Sequence, residues 1–236
     1  MISHMMVLLQ DWLALPVTML VYAVADALQK RWRWVILQPM LVSLVILIPW
    51  VLLMHVPVAR YREATAPLVW IAGPLTVGMA IPLFRERGRI LASARPLLLT
   101  LLFGSILASA TAFGMACLLK LGHAASLAFL TRAISLPFCL PVAHLLHAPV
   151  GLAAVIVGVS GVLGGVAAPW LLPQRWDPAA RGVAMGLAAH GIGTAVALGI
   201  NPRMGAYAAL AMMLNGTITS LWLPWFWAHI SVLLGF

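Results

Sequence analysis

Acidic side chains are almost missing from this chain. Five Asp and Glu stand against fourteen Lys and Arg in 236 residues, and charged residues make up only 8% of the whole. A soluble globular domain carries about a quarter charged residues. So few charges cannot cover a water-facing surface, and a disordered chain needs more of them still, so both classes are excluded. Cysteine is nearly as scarce. Cys117 and Cys139 both sit inside apolar runs, which supports neither a disulfide framework nor a metal-ligand spacing. Linkers and low-complexity tracts are missing too. Met1 to Asp11 holds no Lys or Arg, so no signal-peptide n-region is expected there and the first apolar run reads as a retained helix.

What is present is apolar: 64% of the residues. A helix needs about 20 apolar residues to cross a bilayer, so about seven or eight crossings fit. The runs are continuous rather than alternating, which excludes a β-barrel. They fall near 12–28, 34–54, 66–84, 96–119, 125–147, 151–172, 179–200 and 204–231. The expected fold is all-α: one polytopic transmembrane bundle over residues 1–236.

The net charge of +9 does not point to nucleic acid. The bases lie in short clusters between apolar runs, with no stripe or interleaved aromatics. They read as topogenic charge. Lys30, Arg31, Arg33, Arg85, Arg87, Arg89 and Arg95 follow the first and third runs, against Arg60, Arg62 and Lys120 after the second and fourth. The richer connectors face the cytoplasm and the N terminus faces out. The second half is open at this point. If 125–147 spans, Arg175 and Arg181 lie outside. If it is re-entrant, they lie inside and the second half inverts the first, a common plan in transporters.

Three runs are not ordinary spans. The run 66–84 holds Pro67, Gly73, Pro74, Gly78 and Pro82. The run 125–147 holds Arg132, Ser135, Pro137, Pro141 and His144. The run 179–200 holds Gly182, Gly186, His190, Gly191, Gly193, Thr194 and Gly199. Broken backbone at membrane depth is tolerated only inside protein or against a water-filled cavity, so the three suggest such a cavity. In contrast, 96–119 and 151–172 read as packing helices, with the small-residue pairs Gly104 and Ala108, and Gly161 and Gly165. Trp32 and Trp34, and Trp222, Trp225 and Trp227, read as interfacial belts.

Arg132 is the sharpest residue. A cation at the bilayer centre costs about 2.5–3.5 kcal/mol on insertion scales. Asp11, Asp26, Glu63, Glu86 and Asp177 all lie near run ends, so no acid of this chain pairs with it at depth. Its fork suits an external carboxylate or phosphate; the competing reading has it snorkelling toward Lys120 and His123. The stretch Gly186 to Thr194 is the second site. Gly191 and Gly193 free the backbone, amides at a helix break favour anions, His190 titrates near neutral pH and Thr194 adds a hydroxyl. Asn215, Gly216 and Thr217 put a third polar group in the last run, with a role as interhelical glue the alternative. Ser135, Asn215 and Thr217 complete the candidate substrate set.

Gly158 to Gly161 with Ala189 to Gly193 resembles the serine–histidine dyad of rhomboid proteases. That dyad needs a further helix between its motifs, which the 29 residues between Ser160 and His190 do not hold. No enzymatic activity, metal or organic cofactor is expected.

Five stretches carry a broader resemblance: LQPMLVSLVILIPW at 37–50, GPLTVGMAIPLF at 73–84, LTRAISLPF at 130–138, AARGVAMGLAAHGIGTAVAL at 179–198 and GAYAALAMMLNGTITSLWLPW at 205–225. In order and spacing they resemble the LrgB family, also written CidB/LrgB. The resemblance implies a small-carboxylate carrier, of the pyruvate or glycolate kind, or a modulator of autolysis and murein-hydrolase export. The plastid members are glycolate/glycerate translocators. It implies a bacterial inner membrane location, a small holin-like partner of the LrgA/CidA type and a homo-oligomer. Thr131 and Arg132 stand where the family commonly has Pro and Lys, Gln38 where it has Asn, and Ala189 where it has Ser. In the carrier reading, Arg132 holds the carboxylate, Gly191, Gly193, His190 and Thr194 complete the site, and His190 couples transport to protons.

Overall fold

In hydrocarbon, backbone polar groups must pair within their own segment, which leaves long apolar runs the helix. The computed structural model describes residues 2–32, 37–78 and 80–234, and these form helices with no strand among them. Trp34 and Met79 lie outside the described residues, as do the side chains of Gly73, Gly78 and Pro82. Helix ends follow local chemistry. Pro39, Pro178 and Pro202 open helices at the position where a missing N–H costs nothing. Asp177 accepts from the Ala179 amide at 2.7 Å, and Asn201 from the Arg203 amide at 2.8 Å, capping the next two helices. His55, Lys120 and His147 adopt positive φ just beyond helix ends.

The described residues gather into two units, Met1–Gly78 and Met79–Phe236. The first holds α1 (Ile2–Trp32), α2 (Pro39–Leu53), α3 (Val58–Ala64) and α4 (Ala66–Gly78). There α1 packs on α2 and α3. Thr18 and Tyr61 join α1 to α3 through a 2.8 Å hydroxyl pair.

The second unit holds α5 (Ala80–Arg85), α6 (Arg87–Ala92), α7 (Ala94–Leu118), α8 (His123–Leu130), α9 (Leu136–Leu145), α10 (Val150–Leu171), α11 (Pro178–Ile200) and α12 (Pro202–Leu234). Its contacts fix the direction of each helix. Leu97 and Leu101 of α7 lie in one core with Ala211, while Phe113 meets Trp227 with ring centroids 5.3 Å apart. So α7 runs parallel to α12. Ala153 and Val157 of α10 share a core with Leu223, and Ala168 shares one with Met204 and Ala208. So α10 runs antiparallel to both.

Five described helices are long and apolar enough to cross a membrane, α11 among them. Yet α11 does not run straight. His190 sits at φ 47°, ψ −129°, and there the chain turns back. A Cβ on Gly182 would meet the Met204 carbonyl, and one on Gly186 the Ala208 carbonyl, so the first arm runs parallel to α12. A Cβ on Gly193 would meet the Met185 carbonyl of that first arm, and one on Gly205 would meet Leu198. The second arm therefore returns to its starting side. The Asp177–Arg203 ion pair at 3.3 Å joins the start of α11 to the start of α12, which a straight crossing would separate.

The segment 125–147 is re-entrant in the same way, from the opposite side. His123 at the start of α8 stacks near Trp227, late in α12, at 6.2 Å. The end of α8 and the break after it lie at Asn215, twelve residues earlier in α12. Then α9 returns to the start of α10. Helix α7 with the α8–α9 hairpin is thus repeated in inverted sense by α10 with the α11 hairpin. This topology also resolves the charge pattern. Arg85, Arg87, Arg89, Arg95, Arg175, Arg181 and Arg203 all fall on the side where α7 and α12 begin, against Lys120 on the other. That asymmetry between the two ends is the pattern the positive-inside rule describes.

Candidate functional site

Where α8 ends, the backbone leaves the helix for residues 131–135; the amides of Thr131, Arg132 and Ile134 still donate to carbonyls three residues back, but the carbonyls of Leu130, Arg132 and Ala133 lose their helical donors. Three other helices supply partners. Ser109 Oγ of α7 donates to the Leu130 carbonyl at 3.0 Å. Ser160 Oγ of α10 donates to the Arg132 carbonyl at 3.3 Å. Asn215 Nδ2 of α12 donates to the Ala133 carbonyl at 2.6 Å. From the fourth, α11, the buried His190 ring faces the carbonyls of Arg132 and Ala133, and its Nε2 has no hydrogen-bond partner. Ser160 lies at the middle of α10, whose 22 residues span about 33 Å. The two hairpin tips therefore meet near mid-membrane.

The arrangement has an electrostatic consequence. The helices α9 and the second arm of α11 both begin at this depth, with their positive poles pointing in. The carboxyl end of α8 brings a negative pole to the same place. Such crossed helix breaks can hold an anion and a cation side by side.

Arg132 starts from this hub, but its side chain leaves it. The half-buried guanidinium borders a cavity of about 300 Å³ along the outer half of α7, with Thr111, Ala112, Met115, Ala116 and Leu119 on one wall and Leu121 and Phe129 on the other. No acid pairs with it among the described residues. Both sequence readings meet here: the cation begins at depth, and its side chain reaches toward the Lys120 side.

The remaining candidates divide. His190, Thr194 and Asn215 are buried around the tips. Thr194 Oγ1 donates to the His190 carbonyl at 2.8 Å, so it braces the reversal. Ser135 opens α9 without a side-chain cap. Gly191 lies exposed at the tip, 3.9 Å from Met212 Sδ when a Cβ is added. Gly193 has a different task from freeing an amide, since it lets the arms of α11 touch. Thr217 is not brought to the hub. It lies on an exposed face of α12 and donates to the Met213 carbonyl at 3.0 Å. Ser160 donates to the carbonyls of Arg132 and Val157, not to His190. Trp222 faces inward and donates Nε1 to Ser105 Oγ at 3.1 Å, rather than joining a belt. Ser109 escaped the sequence reading, because a serine in an apolar helix carries no local mark of the carbonyl it will meet.

Comparison with known proteins gives one consistent result. The chain matches the LrgB-like family over residues 18–229. It is 29% identical to the uncharacterized protein YwbG of Bacillus subtilis, over 86% of this chain and 91% of that one. It is 25% identical to the holin-like protein CidB of Staphylococcus aureus, over 91% and 95% respectively. An uncharacterized protein of Haemophilus influenzae is 26% identical over 90% and 88%. No solved structure matches the chain.

Proposed function

The chain belongs to the LrgB-like family, and from that premise we propose that it is a secondary carrier of small monocarboxylates in the bacterial inner membrane. The observation that carries this reading is an arginine whose backbone lies at the meeting of two oppositely inserted hairpin tips and whose side chain, unpaired with any acid among the described residues, borders the cavity along α7. A lone guanidinium asks for an anion. The lining beside it is apolar apart from Thr111, which suits a short hydrocarbon tail. Helix N-termini at the hairpin tips, where the Arg132 backbone lies, favour a carboxylate. His190 is the titratable group at the tips, and its protonation would serve coupling to protons.

The test is uptake of labelled pyruvate, lactate and glycolate into proteoliposomes. Saturable uptake lost in Arg132→Ala and partly kept in Arg132→Lys is expected. Uptake unchanged in Arg132→Ala would refute the site. No uptake at any imposed gradient would refute the carrier.

A second reading has support in the name of the Staphylococcus relatives, holin-like protein CidB. In it the chain modulates autolysis through a small holin-like membrane partner and carries nothing. A lysis phenotype that survives Arg132→Ala, together with capture of a small membrane partner, would favour it.

A further inference from the structure

Three buried side-chain oxygens on α12 have no partner, those of Asn215, Thr219 and Ser220, and the first two lie one turn apart. Asn215, 1% exposed, uses its amide nitrogen on the Ala133 carbonyl, and its Oδ1 accepts nothing. Thr219, 0% exposed, leaves its Oγ1 unpaired. Other threonines of the bundle behave otherwise: Thr217, Thr194 and Thr111 each donate to the carbonyl four residues back. Positions 215 and 219 are one turn apart and share a helix face. That face runs from the hairpin tip, where Asn215 is bonded, to Leu223, which lies in a core with Leu127, Ala128, Cys139 and Val142. Thr219 is therefore enclosed between α12 and the α8–α9 hairpin. The 2.6 Å bond from Nδ2 to the Ala133 carbonyl fixes the Asn215 amide at the α8–α9 break.

The donor chemistry is narrow. It consists of a peptide carbonyl, an amide oxygen and a hydroxyl, all neutral and all hard. The acids of this unit, Glu86 and Asp177, pair with Arg89 and Arg203 on the side where α7 and α12 begin. Calcium and magnesium sites recruit carboxylates, and the softer metals want nitrogen or sulfur. A proton finds no basic group among these three; the nearby His190 ring, which faces the Ala133 carbonyl from α11, is the basic group at the tips. A monovalent alkali cation is satisfied by neutral oxygens, and the carboxyl end of α8 adds a negative helix pole. The Arg132 guanidinium borders the cavity along α7. We propose that the Ala133 carbonyl, Asn215 Oδ1 and Thr219 Oγ1 form a binding site for a sodium-class cation at the carboxyl end of α8. Use of that ion to drive carboxylate movement rests on the carrier reading; the binding itself does not.

The test uses the purified full chain in carboxylate-free detergent buffer. Thermal melting is followed in sodium, potassium and choline chloride at equal ionic strength. Sodium at saturation should raise the midpoint by about 5 °C over choline. Thr219→Val keeps the shape and removes the oxygen, so the sodium rise should vanish. Thr219→Ser keeps the oxygen and should retain it. Equal midpoints in the three salts would overturn the proposal, as a trapped water would give that result. So would a sodium rise that persists in Thr219→Val. A sodium rise without any carboxylate uptake would leave the site standing and remove only the carrier reading.

Discussion

The two hairpin tips solve one problem in two ways. Each must turn a chain around at a depth where water is missing. The tip at 131–135 spreads the turn over five residues, and the carbonyls of Leu130, Arg132 and Ala133 accept from Ser109, Ser160 and Asn215 on three neighbouring helices. The tip at His190 makes the turn at one residue, in backbone territory that costs about 1–3 kcal/mol outside glycine. It is held by packing instead. Gly182 and Gly186 lie against carbonyls of α12, and Gly193 lies against the other arm. The first tip is held by polar groups from outside, the second by missing side chains within. A tip held by replaceable hydrogen bonds can exchange them for a ligand. A tip held by backbone contact has little room to do so. The open chemistry, Arg132 and the unpaired oxygens of α12, accordingly lies beside the first.

The largest effect expected from this comparison is one of topology. In a background lacking Cys117 and Cys139, cysteines placed by Gln174→Cys and Arg203→Cys should react with an impermeant thiol reagent from the same side. Labelling from opposite sides would mean that α11 crosses straight and that the inverted pair does not exist.

Next comes the packed tip. Gly186→Val drives two methyl groups at the Ala208 carbonyl and should cost about 3 kcal/mol or more, read as loss of folded protein in a denaturation series. A cost under about 1 kcal/mol would show that α11 and α12 do not touch there.

The polar tip should respond more gently. Asn215→Leu strands the Ala133 carbonyl and should cost about 1–3 kcal/mol. Ser109→Ala removes one donor, with about 0.6 kcal/mol expected from interhelical bonds of this kind. If Ser109→Ala proved worse than Gly186→Val, the contrast between the tips would be reversed. The smallest effect belongs to Thr217→Ala, within about 0.5 kcal/mol and without influence on uptake, because that hydroxyl bonds only its own helix.

Much of the site was legible as a list of unusual residues. Arg132, His190 and Asn215 stand out because charge and hydrogen-bonding capacity are costly in hydrocarbon. Their grouping was less legible. Thr217 was read together with Asn215 on proximity in the chain, yet two residues on a helix turn about 200°, which carries it to the far face. Gly193 was read as an open amide, whereas its neighbour in space, Met185, is eight residues away in sequence.

Composition alone determined that the chain is an all-helical membrane protein, because nineteen charged residues cannot hydrate 236 and the lipid interior leaves the backbone no other pairing. Sequence also marked 125–147 and 179–200 as interrupted. Whether an interrupted run bends, crosses or returns was decided only in the folded chain. A break frees backbone groups and permits several paths. Which path is taken depends on what lies across from it: the carbonyls of Met204 and Ala208 against two glycines, and three side chains from three helices around one carboxyl end.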